Sequence, residues 1–596
     1  MQPQEYYQER IKILQQQLAE KLERKTRLGG GRFLAMLLAG AAIYFTLTTG
    51  NLFVLIVVAL LVALFVKLVF LDLDNKNSIK HTQLLITVNE TETKALAGEY
   101  FSFEDGAMHA PHDHVYANDL DIFGHASLFQ YVNRTTSAMG SAALAELLLH
   151  PATAVEISER QLAVKELAGF PEWRQSLLAY GLEKKIESST RERLREWITQ
   201  PNSFLSFKAW GILRYVLPAI ILAITAAYIF DLVSNRVFNY TVLIFGILAY
   251  FISKRVTPVQ QQLSRIVDEI SVMTDSIALI EQANFASPLL SRLKKQFYLE
   301  QSKASLQLKE LKTILDRMDL RYNPVVFIPL DIFLLWDLQQ VLALEQWKDR
   351  NQQKITEWFG AVGMLEAMSS LATVHFNHPA WCFPEIKEPH FSIEGTDIGH
   401  PLINENKRVN NPISIQRSGE LMLITGSNMA GKSTYLRSIG INVVLAMAGS
   451  VTCASRFAVS PVQLLTSMRI ADNLEENTST FYAELKKLKT IIEKVNRKEE
   501  VFILLDEILR GTNSLDRHTG SEALIKQLIK KDAVGIIATH DIALAQLKEQ
   551  FPANILNHFF DVQVSNDELY FDYRLKEGVC NSLNASILMK KIGIEL

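Results

Sequence analysis

The chain has 596 residues, a formal net charge of −3 and 48% hydrophobic residues, enough apolar sequence for several buried cores. The near-neutral charge excludes a strongly basic protein that binds nucleic acid mainly through its phosphates. The three cysteines, Cys382, Cys453 and Cys580, are scattered and predict neither a disulfide framework nor a metal cluster, which is typical of a reducing cytoplasm.

The N-terminal region combines a charged helix with two apolar runs. Residues 6–27 have apolar side chains at helical spacing and predict an amphipathic or coiled-coil helix. Three consecutive glycines, residues 29–31, predict a brief hinge after it. The nearly continuous apolar runs 33–48 and 52–71 follow and predict a first membrane hairpin.

A second pair of apolar runs, residues 212–232 and 237–252, predicts a second membrane hairpin. A helix needs about 20 apolar residues to cross a bilayer, and the second and third of the four runs meet this length best. The alternative is two helical hairpins buried in a soluble core. That alternative is disfavoured because the runs lack the polar stripe of an amphipathic helix.

Basic residues flank the outer ends of both hairpins, while the short loops inside each hairpin are nearly uncharged. By the positive-inside rule, both termini and the C-terminal part of the chain, which contains the nucleotide-site motifs described below, face the cytoplasm, so we expect a multi-pass membrane protein. A further apolar run, residues 325–344, contains Asp331 and Asp337. These charges predict a buried or membrane-surface helix rather than a span.

The segment GSNMAGKST, residues 426–434, predicts a phosphate-binding loop. It follows an apolar strand-like run and precedes a helix-like stretch, so backbone N–H groups and a helix N-terminus point at phosphate oxygens. The predicted nucleotide contacts are Gly426, Ser427, Asn428, Met429, Ala430, Gly431, Lys432, Ser433 and Thr434. Lys432 is expected between the β- and γ-phosphates of ATP, and Ser433 is expected to bind Mg²⁺.

Two more apolar runs end in polar residues that suit the same chemistry. Residues 501–505 precede Asp506 and Glu507, and residues 533–538 precede Thr539 and His540. Asp506 is expected to hold Mg²⁺, Glu507 to act as the general base and His540 to sense the γ-phosphate. Because the carboxyl ends of parallel strands meet at one edge of a sheet, these groups are expected to converge.

The motifs together resemble the MutS family of mismatch-repair ATPases, a branch of the ABC superfamily. Residues 506–514 (DEILRGTNS) resemble its Walker B and D-loop, with Leu509 replacing a glycine, and residues 479–484 (STFYAE) resemble its signature segment. The resemblance implies a homodimer in which Ser479 completes the partner's ATP site in trans, and it places Asp472 in a Q-loop-like segment. Where the family stacks an aromatic on adenine, this chain offers Arg408, whose guanidinium can stack on a base.

The resemblance continues upstream and shapes the predicted layout. Residues 133–141 and 157–164 resemble the opening of the family's helical lever region. The predicted fold is an α/β P-loop (ABC/MutS-type) ATPase domain plus an all-α lever region and four transmembrane helices in two hairpins. The expected units are 1–32 cytosolic helix, 33–71 hairpin, 72–123 connector, 124–208 lever, 209–253 hairpin, 254–380 lever, 381–572 ATPase and 573–596 dimer contact.

The family's two DNA-contacting modules are expected to be replaced by membrane helices. One hairpin lies in the N-terminal region, where the family has its mismatch reader, and the other lies inside the lever, where the family has its clamp. The leading hypothesis is therefore a membrane ATPase that acts on a lipid or on an unknown membrane or envelope partner. A membrane-tethered DNA repair or recombination protein and a scaffold with weak ATPase activity remain alternatives.

Overall fold

The computed structural model describes residues 2–51, 53–299, 302–427, 430–468, 480–565 and 568–580. The first two thirds of the chain are helical. Helices α1 to α15 are Pro3–Thr49, Val54–Leu96, Leu128–Val132, Ala138–Leu149, Ala154–Ala168, Pro171–Glu183, Ser188–Thr199, Trp210–Ile229, Asn235–Leu263, Val267–Gln282, Pro288–Lys295, Ala304–Met318, Pro324–Leu334, Trp336–Asn351 and Ile355–Asn377.

The last third alternates strands and helices. Strands β1 to β10 are Glu385–Ile386, Ile393–Ile398, Asn411–Ile415, Leu421–Thr425, Arg456–Val459, Gln463–Ser467, Val501–Asp506, Val534–Thr539, Ile555–Ser565 and Glu568–Glu577. Helices α16 to α19 are Lys432–Ala448, Thr480–Asn496, Ser514–Lys530 and Leu547–Gln550.

Helices α1 and α2 pack against each other as a long antiparallel hairpin. The hinge predicted at residues 29–31 is wrong, because α1 runs through all three glycines without a break. Packing on α2 explains the difference: a Cβ at Gly31 would lie 3.5 Å from Leu68, so the two helices approach closely there. The predicted boundaries at residues 32 and 71 therefore fall inside continuous helices, and α2 extends into the predicted connector.

The outer half of this hairpin exposes its apolar side chains, including Phe33, Leu47 and Phe70. Arg32 and Asp72 form an ion pair at 3.1 Å where the two apolar runs end. Four helical segments in the described part of the chain are long and apolar enough to cross a membrane: α1, α2, α8 and the continuous stretch Asn235–Gln282. The bent pair α13 and α14 is a fifth candidate.

Helices α8 and α9 form the second hairpin, with Tyr228 and Phe238 stacked near its tip. From there α9 continues past its apolar run, and α10 follows it into a helical bundle with α12 and α14. Helix α15 lies at the centre of the helical region and packs on α4, α5 and α6. Its buried Glu366 accepts hydrogen bonds from Thr136 and Ser137, which fixes the start of α4.

The central sheet has the strand order β10-β9-β4-β8-β7-β6, in which β9, β4, β8, β7 and β6 are parallel and β10 is antiparallel. Alternate strand residues face two different cores, as the twofold period of a strand requires. Leu504 of β7 faces the core shared with α16, whereas its neighbour Ile503 faces the core shared with α17 and α18. A smaller mixed sheet, β1-β5-β2-β3, stands beside it.

The predicted boundary between residues 572 and 573 is also wrong. It cuts through β10, whose hydrogen bonds to β9 make residues up to Glu577 part of the central sheet. A run of alternating residues in an edge strand gives too weak a sequence signal to distinguish it from a separate tail. Residues 581–596, which contain most of the predicted dimer-contact segment, lie outside the described residues.

Candidate nucleotide-binding site

Three neighbouring parallel strands bring the predicted site residues to one edge of the central sheet. Thr425 at the end of β4 pairs with Thr539 of β8, and Asp506 at the end of β7 pairs with Ala538. The loop after β4, the carboxylates after β7 and His540 after β8 therefore meet where open α/β sheets bind ligands.

The loop between β4 and α16 depends on a glycine at its first position. Gly426 has φ 144°, and a Cβ there would lie 2.6 Å from the carbonyl oxygen of Phe560. Lys432 begins α16, and its buried amine donates hydrogen bonds to the carbonyl oxygens of Gly426 (2.7 Å) and Ser427 (2.9 Å). Burial lowers the pKa of Lys432 to about 8. The lysine thus lies inside the loop, where phosphate oxygens would meet it.

Ser433 and Asp506 are joined directly across the site. The Ser433 hydroxyl donates to Oδ2 of Asp506 at 2.5 Å. Among the described residues, the buried Oδ1 of Asp506 has no hydrogen-bond partner. A hydroxyl and a carboxylate with one free buried oxygen are ligands that Mg²⁺ accepts, so these two residues fit the ion.

Glu507 is held by two neighbours. It contacts Nε2 of His540, and Nε of Arg510 lies 2.8 Å from its other carboxylate oxygen. The His540 hydrogen bond is the main cause that lowers the pKa of Glu507, which keeps the carboxylate ionised at neutral pH. His540 also lies 3.0 Å from the carbonyl oxygen of Gly426 through Nδ1, so it links the carboxylate to the loop.

A third segment supports these carboxylates. Glu484 on α17 is buried and accepts a 2.5 Å hydrogen bond from the backbone N–H of Leu509. Burial is the main cause that raises the pKa of Glu484. Leu509 has φ 61°, in the left-handed region, which explains why the MutS-like pattern has a glycine here. Phe481 packs on Gly511, where a Cβ would lie 2.6 Å from the phenylalanine Cβ.

A cavity of about 370 Å³ adjoins the loop, within the usual range for small-molecule sites. It is lined by His400, Arg408, Phe560 and Tyr573, among others. The guanidinium of Arg408 donates to Asn410 at 3.1 Å and to the carbonyl of Ile403 at 3.5 Å, so this predicted base contact lies at the cavity but is already engaged.

The sequence prediction missed His400 and Tyr573 as cavity residues. Burial, with Arg437 as the next contributor, lowers the pKa of His400 to about 4, so its ring is uncharged at neutral pH. Tyr573 reaches the cavity because Asn411 on β3 hydrogen-bonds the backbone of β10 at Tyr573 and Leu575. Only the aromatic identity of Tyr573 could have signalled this role, since its strand lies far from the loop in sequence.

Part of the predicted site cannot be placed. Asn428 and Met429 of the loop, Asp472, and Ser479 with the start of the signature segment lie outside the described residues. The remaining predicted contacts of the loop, together with Asp506, Glu507 and His540, converge at the end of the sheet.

The arrangement of these features is typical of a nucleotide-binding domain: a loop before a helix, a paired serine and aspartate, and an adjoining cavity. Residues 422–590 match the family model for MutS domain V. The chain is 33% identical over 238 residues to the DNA mismatch repair protein MutS of Persephonella marina. It is 31% identical over 197 residues to the DNA mismatch repair protein MSH4 of Arabidopsis thaliana.

These two alignments cover 39% and 32% of the chain, and 27% and 24% of the respective relatives. A MutS from Thermotoga maritima is 28% identical over 251 residues, which is 41% of the chain and 30% of that relative. The chain thus spans from 24% to 30% of the length of these relatives. The matches support a relationship to the MutS family through its domain V.

Proposed function

We propose that the chain is a membrane-embedded, MutS-like ATPase that works as a homodimer. One observation carries this proposal: the same chain combines a MutS domain V match, with its phosphate-loop residues gathered at one sheet edge, and two helical hairpins that expose long apolar runs. Exposed apolar surface of this extent is unstable in water and suits a bilayer.

The residues divide the chemistry of ATP hydrolysis among them. Lys432 and the backbone of the loop bind and neutralise the phosphates. Ser433 and Asp506 would hold Mg²⁺, which when bound offsets charge on the β- and γ-phosphates. Glu507 accepts a proton from the attacking water, and its lowered pKa keeps it in the basic form. His540 connects Glu507 to the loop and so orients that base beside the phosphates.

The dimer follows from the family resemblance. Ser479 of one protomer would complete the phosphate site of the other, so closure requires ATP between two copies. Each closure would move α17, which Glu484 ties to the segment after the catalytic carboxylate. Helices α4 and α5, on which α15 packs, contact α16, and α6 joins α15 to α10, which follows α9 of the second hairpin. Nucleotide-driven motion would therefore reach the bilayer.

Both hairpins are assigned to the membrane and both termini to the cytoplasm. The Arg32–Asp72 pair would lie at the cytoplasmic boundary, since both apolar runs end there. The partner acted on would be a lipid or another membrane or envelope component. This assignment accounts for a membrane segment at each place where the family has a DNA-contacting module.

A second candidate is a membrane-tethered DNA repair or recombination protein. The relatives that match domain V are named as DNA mismatch repair proteins, and this favours it. Against it stands the near-neutral net charge of the chain. A scaffold with weak ATPase activity is disfavoured by the complete set of Lys432, Ser433, Asp506, Glu507 and His540.

The deciding experiment measures ATP turnover by the full chain in lipid nanodiscs. Turnover is compared with no DNA, duplex DNA, mismatched DNA and branched DNA, at low and physiological salt, and across nanodiscs of different lipid composition. We expect turnover that responds to lipid composition and ignores DNA. Stimulation by DNA with a steep salt dependence would replace the membrane hypothesis with the repair hypothesis.

A further inference from the structure

Helix α13 has its polarity inverted with respect to a helix of a soluble protein. It has eleven residues, and the only buried one is Asp331, which is 4% exposed. Its apolar residues face outward: Val325 is 84% exposed and Ile328 is 53% exposed. Soluble proteins bury apolar side chains and leave unpaired carboxylates in water, so this helix has the opposite arrangement.

The inward polar groups form a fixed cluster. Asp331 accepts a hydrogen bond from the backbone N–H of Asp337 at 3.0 Å. Asp337 pairs with Arg321 at 3.2 Å, and Arg321 also donates to Ser253 and Thr257 on α9. The charges near α13 are therefore engaged with protein groups. This leaves the apolar side of the helix as its outer surface.

The position of α13 indicates what covers that surface. It packs against α8 and α9 of the second hairpin. A Cβ at Gly246, inside the apolar run of α9, would lie 3.9 Å from Ile332 of α13. Arg321, just before α13, contacts α9 where that run ends. Helix α13 and Arg321 thus lie beside α9 from Gly246 to the end of its apolar run at Ser253. In the proposed membrane arrangement this is the cytoplasmic half of the hairpin.

We propose that α13 is a membrane-surface helix whose exposed face inserts among phospholipid acyl chains of the cytoplasmic leaflet. It rests on the proposed membrane function, since the leaflet surrounds α13 only if the adjacent hairpin crosses the bilayer. At Leu335, which has φ 47°, the chain turns by 79° from α13 into α14. Because α14 belongs to the helical bundle, movement of the bundle would tilt α13 within one leaflet.

The test places a spin label at single sites of the full chain in nanodiscs made of phosphatidylcholine and phosphatidylglycerol. The labelled variants are Val325→Cys, Leu243→Cys on α9, and Leu162→Cys on α5, each with Cys382→Ser. All three labelled positions are exposed apolar residues, at 84%, 58% and 52%. For each spin label, the collision rate with oxygen is compared with the collision rate with a nickel chelate. Oxygen concentrates in lipid, whereas the chelate stays in water.

We expect the label at position 325 to be several-fold more accessible to oxygen than to the chelate, and shallower than the label at position 243. The label at position 162 should be more accessible to the chelate than to oxygen. A label at 325 that favours the chelate while 243 favours oxygen overturns the inference about α13 alone. Equal depths at 325 and 243 overturn it too, because α13 would then cross the leaflet as part of a broken span. If 325 and 243 both favour the chelate, the proposed membrane function fails as well.

Discussion

Lys432 is a buried amine whose hydrogen bonds go to backbone carbonyl oxygens of its own loop. Burial lowers its pKa to about 8, so the amine loses its charge as pH rises through that value. Phosphate oxygens favour the charged form and would raise this pKa again. Nucleotide binding at alkaline pH should therefore take up a proton, and affinity should fall as pH rises above about 8.

Calorimetry of ADP binding in two buffers of different ionisation enthalpy measures this uptake. We expect nearly one proton per site at about pH 9 and a small fraction at about pH 7, where the amine is already charged. Lys432→Arg is the control, since a guanidinium keeps its charge at both values. Equal uptake by the wild-type protein at the two pH values would contradict the assignment.

Glu507→Gln tests the general base. The amide keeps the shape of the side chain but cannot accept a proton from water. Turnover should fall by roughly 10²- to 10⁴-fold while nucleotide binding persists. Glu493→Gln, on the exposed side of α17, is the matched control and should leave turnover unchanged. A Glu507→Gln protein that still hydrolyses ATP at the wild-type rate would remove Glu507 from the mechanism.

At this scale the sequence predicted the positions of those residues that local backbone geometry determines. The phosphate loop and the strand-end carboxylates are such residues, because a strand, a turn and a helix suffice to place them. Tyr573 and His400 could not be predicted, since the cavity forms only when β10, β3 and the loop come together. The role of Glu484 was also missed, because a helical glutamate gives no sign of the distant N–H that it binds.

Among the larger elements, the segment between α2 and α3 contacts the C-terminal α/β domain directly. Asp119 is buried and accepts hydrogen bonds from Thr466 and from the backbone of Met468 on one side, and from Lys487 of α17 at 2.9 Å on the other. Lys487 thus joins α17 to the segment that follows the first hairpin.

Asp119→Asn should loosen this contact. The amide still accepts from Thr466 but loses the charge that attracts Lys487. Amide hydrogen exchange in α17 and in residues 107–123 should rise by about tenfold, which corresponds to ~1.4 kcal/mol. Asp113→Asn is the matched control, because Asp113 pairs with Lys486 at 3.7 Å with both side chains exposed, and no change is expected there. Equal exchange in both variants would contradict a coupling role for Asp119.

Whether a segment forms a helix or a strand was predictable where its side chains follow one clear pattern. The continuous apolar runs before Asp506 and before Thr539 predicted buried strands, and β7 and β8 are present there. Continuity between elements was not predictable. Helix α1 passes through Gly29, Gly30 and Gly31 because α2 packs along it, and local propensity contains no information about that partner.

On the scale of the whole molecule, the end of the first hairpin away from its apolar runs docks on the helical region. Glu92 of α2 pairs with Arg134, and Asn377 at the end of α15 donates to Glu92 at 3.0 Å. Tyr7 of α1 donates to the same Asn377 at 2.7 Å. All four side chains are buried or nearly so. The hairpin is thus fixed to the helix that leads into the C-terminal α/β domain.

Glu92→Gln should destabilise this junction, because the Arg134 charge would stay buried without its carboxylate. Breaking a buried pair costs about 3–5 kcal/mol, so the midpoint of thermal unfolding should fall by several degrees. Glu183→Gln is the control: Glu183 pairs with Lys80 of the same hairpin at 2.8 Å, but in a more exposed position, and its loss should have little effect. Similar shifts in the two variants would count against a special role for the Glu92 junction.

In the proposed arrangement, the length of the first hairpin determines how far its docked end lies from the membrane. Asp72, where the apolar runs end, and Glu92, where the hairpin docks, both lie on α2. They are about 20 positions apart, which corresponds to roughly 30 Å of helix. In the proposed membrane arrangement the hairpin is a spacer that holds the docked end of α15 at that distance from the bilayer. A membrane partner with short loops would meet only the base of this spacer and α13. A membrane partner that contacts the docked end would need a cytosolic part that extends at least the same distance from the bilayer.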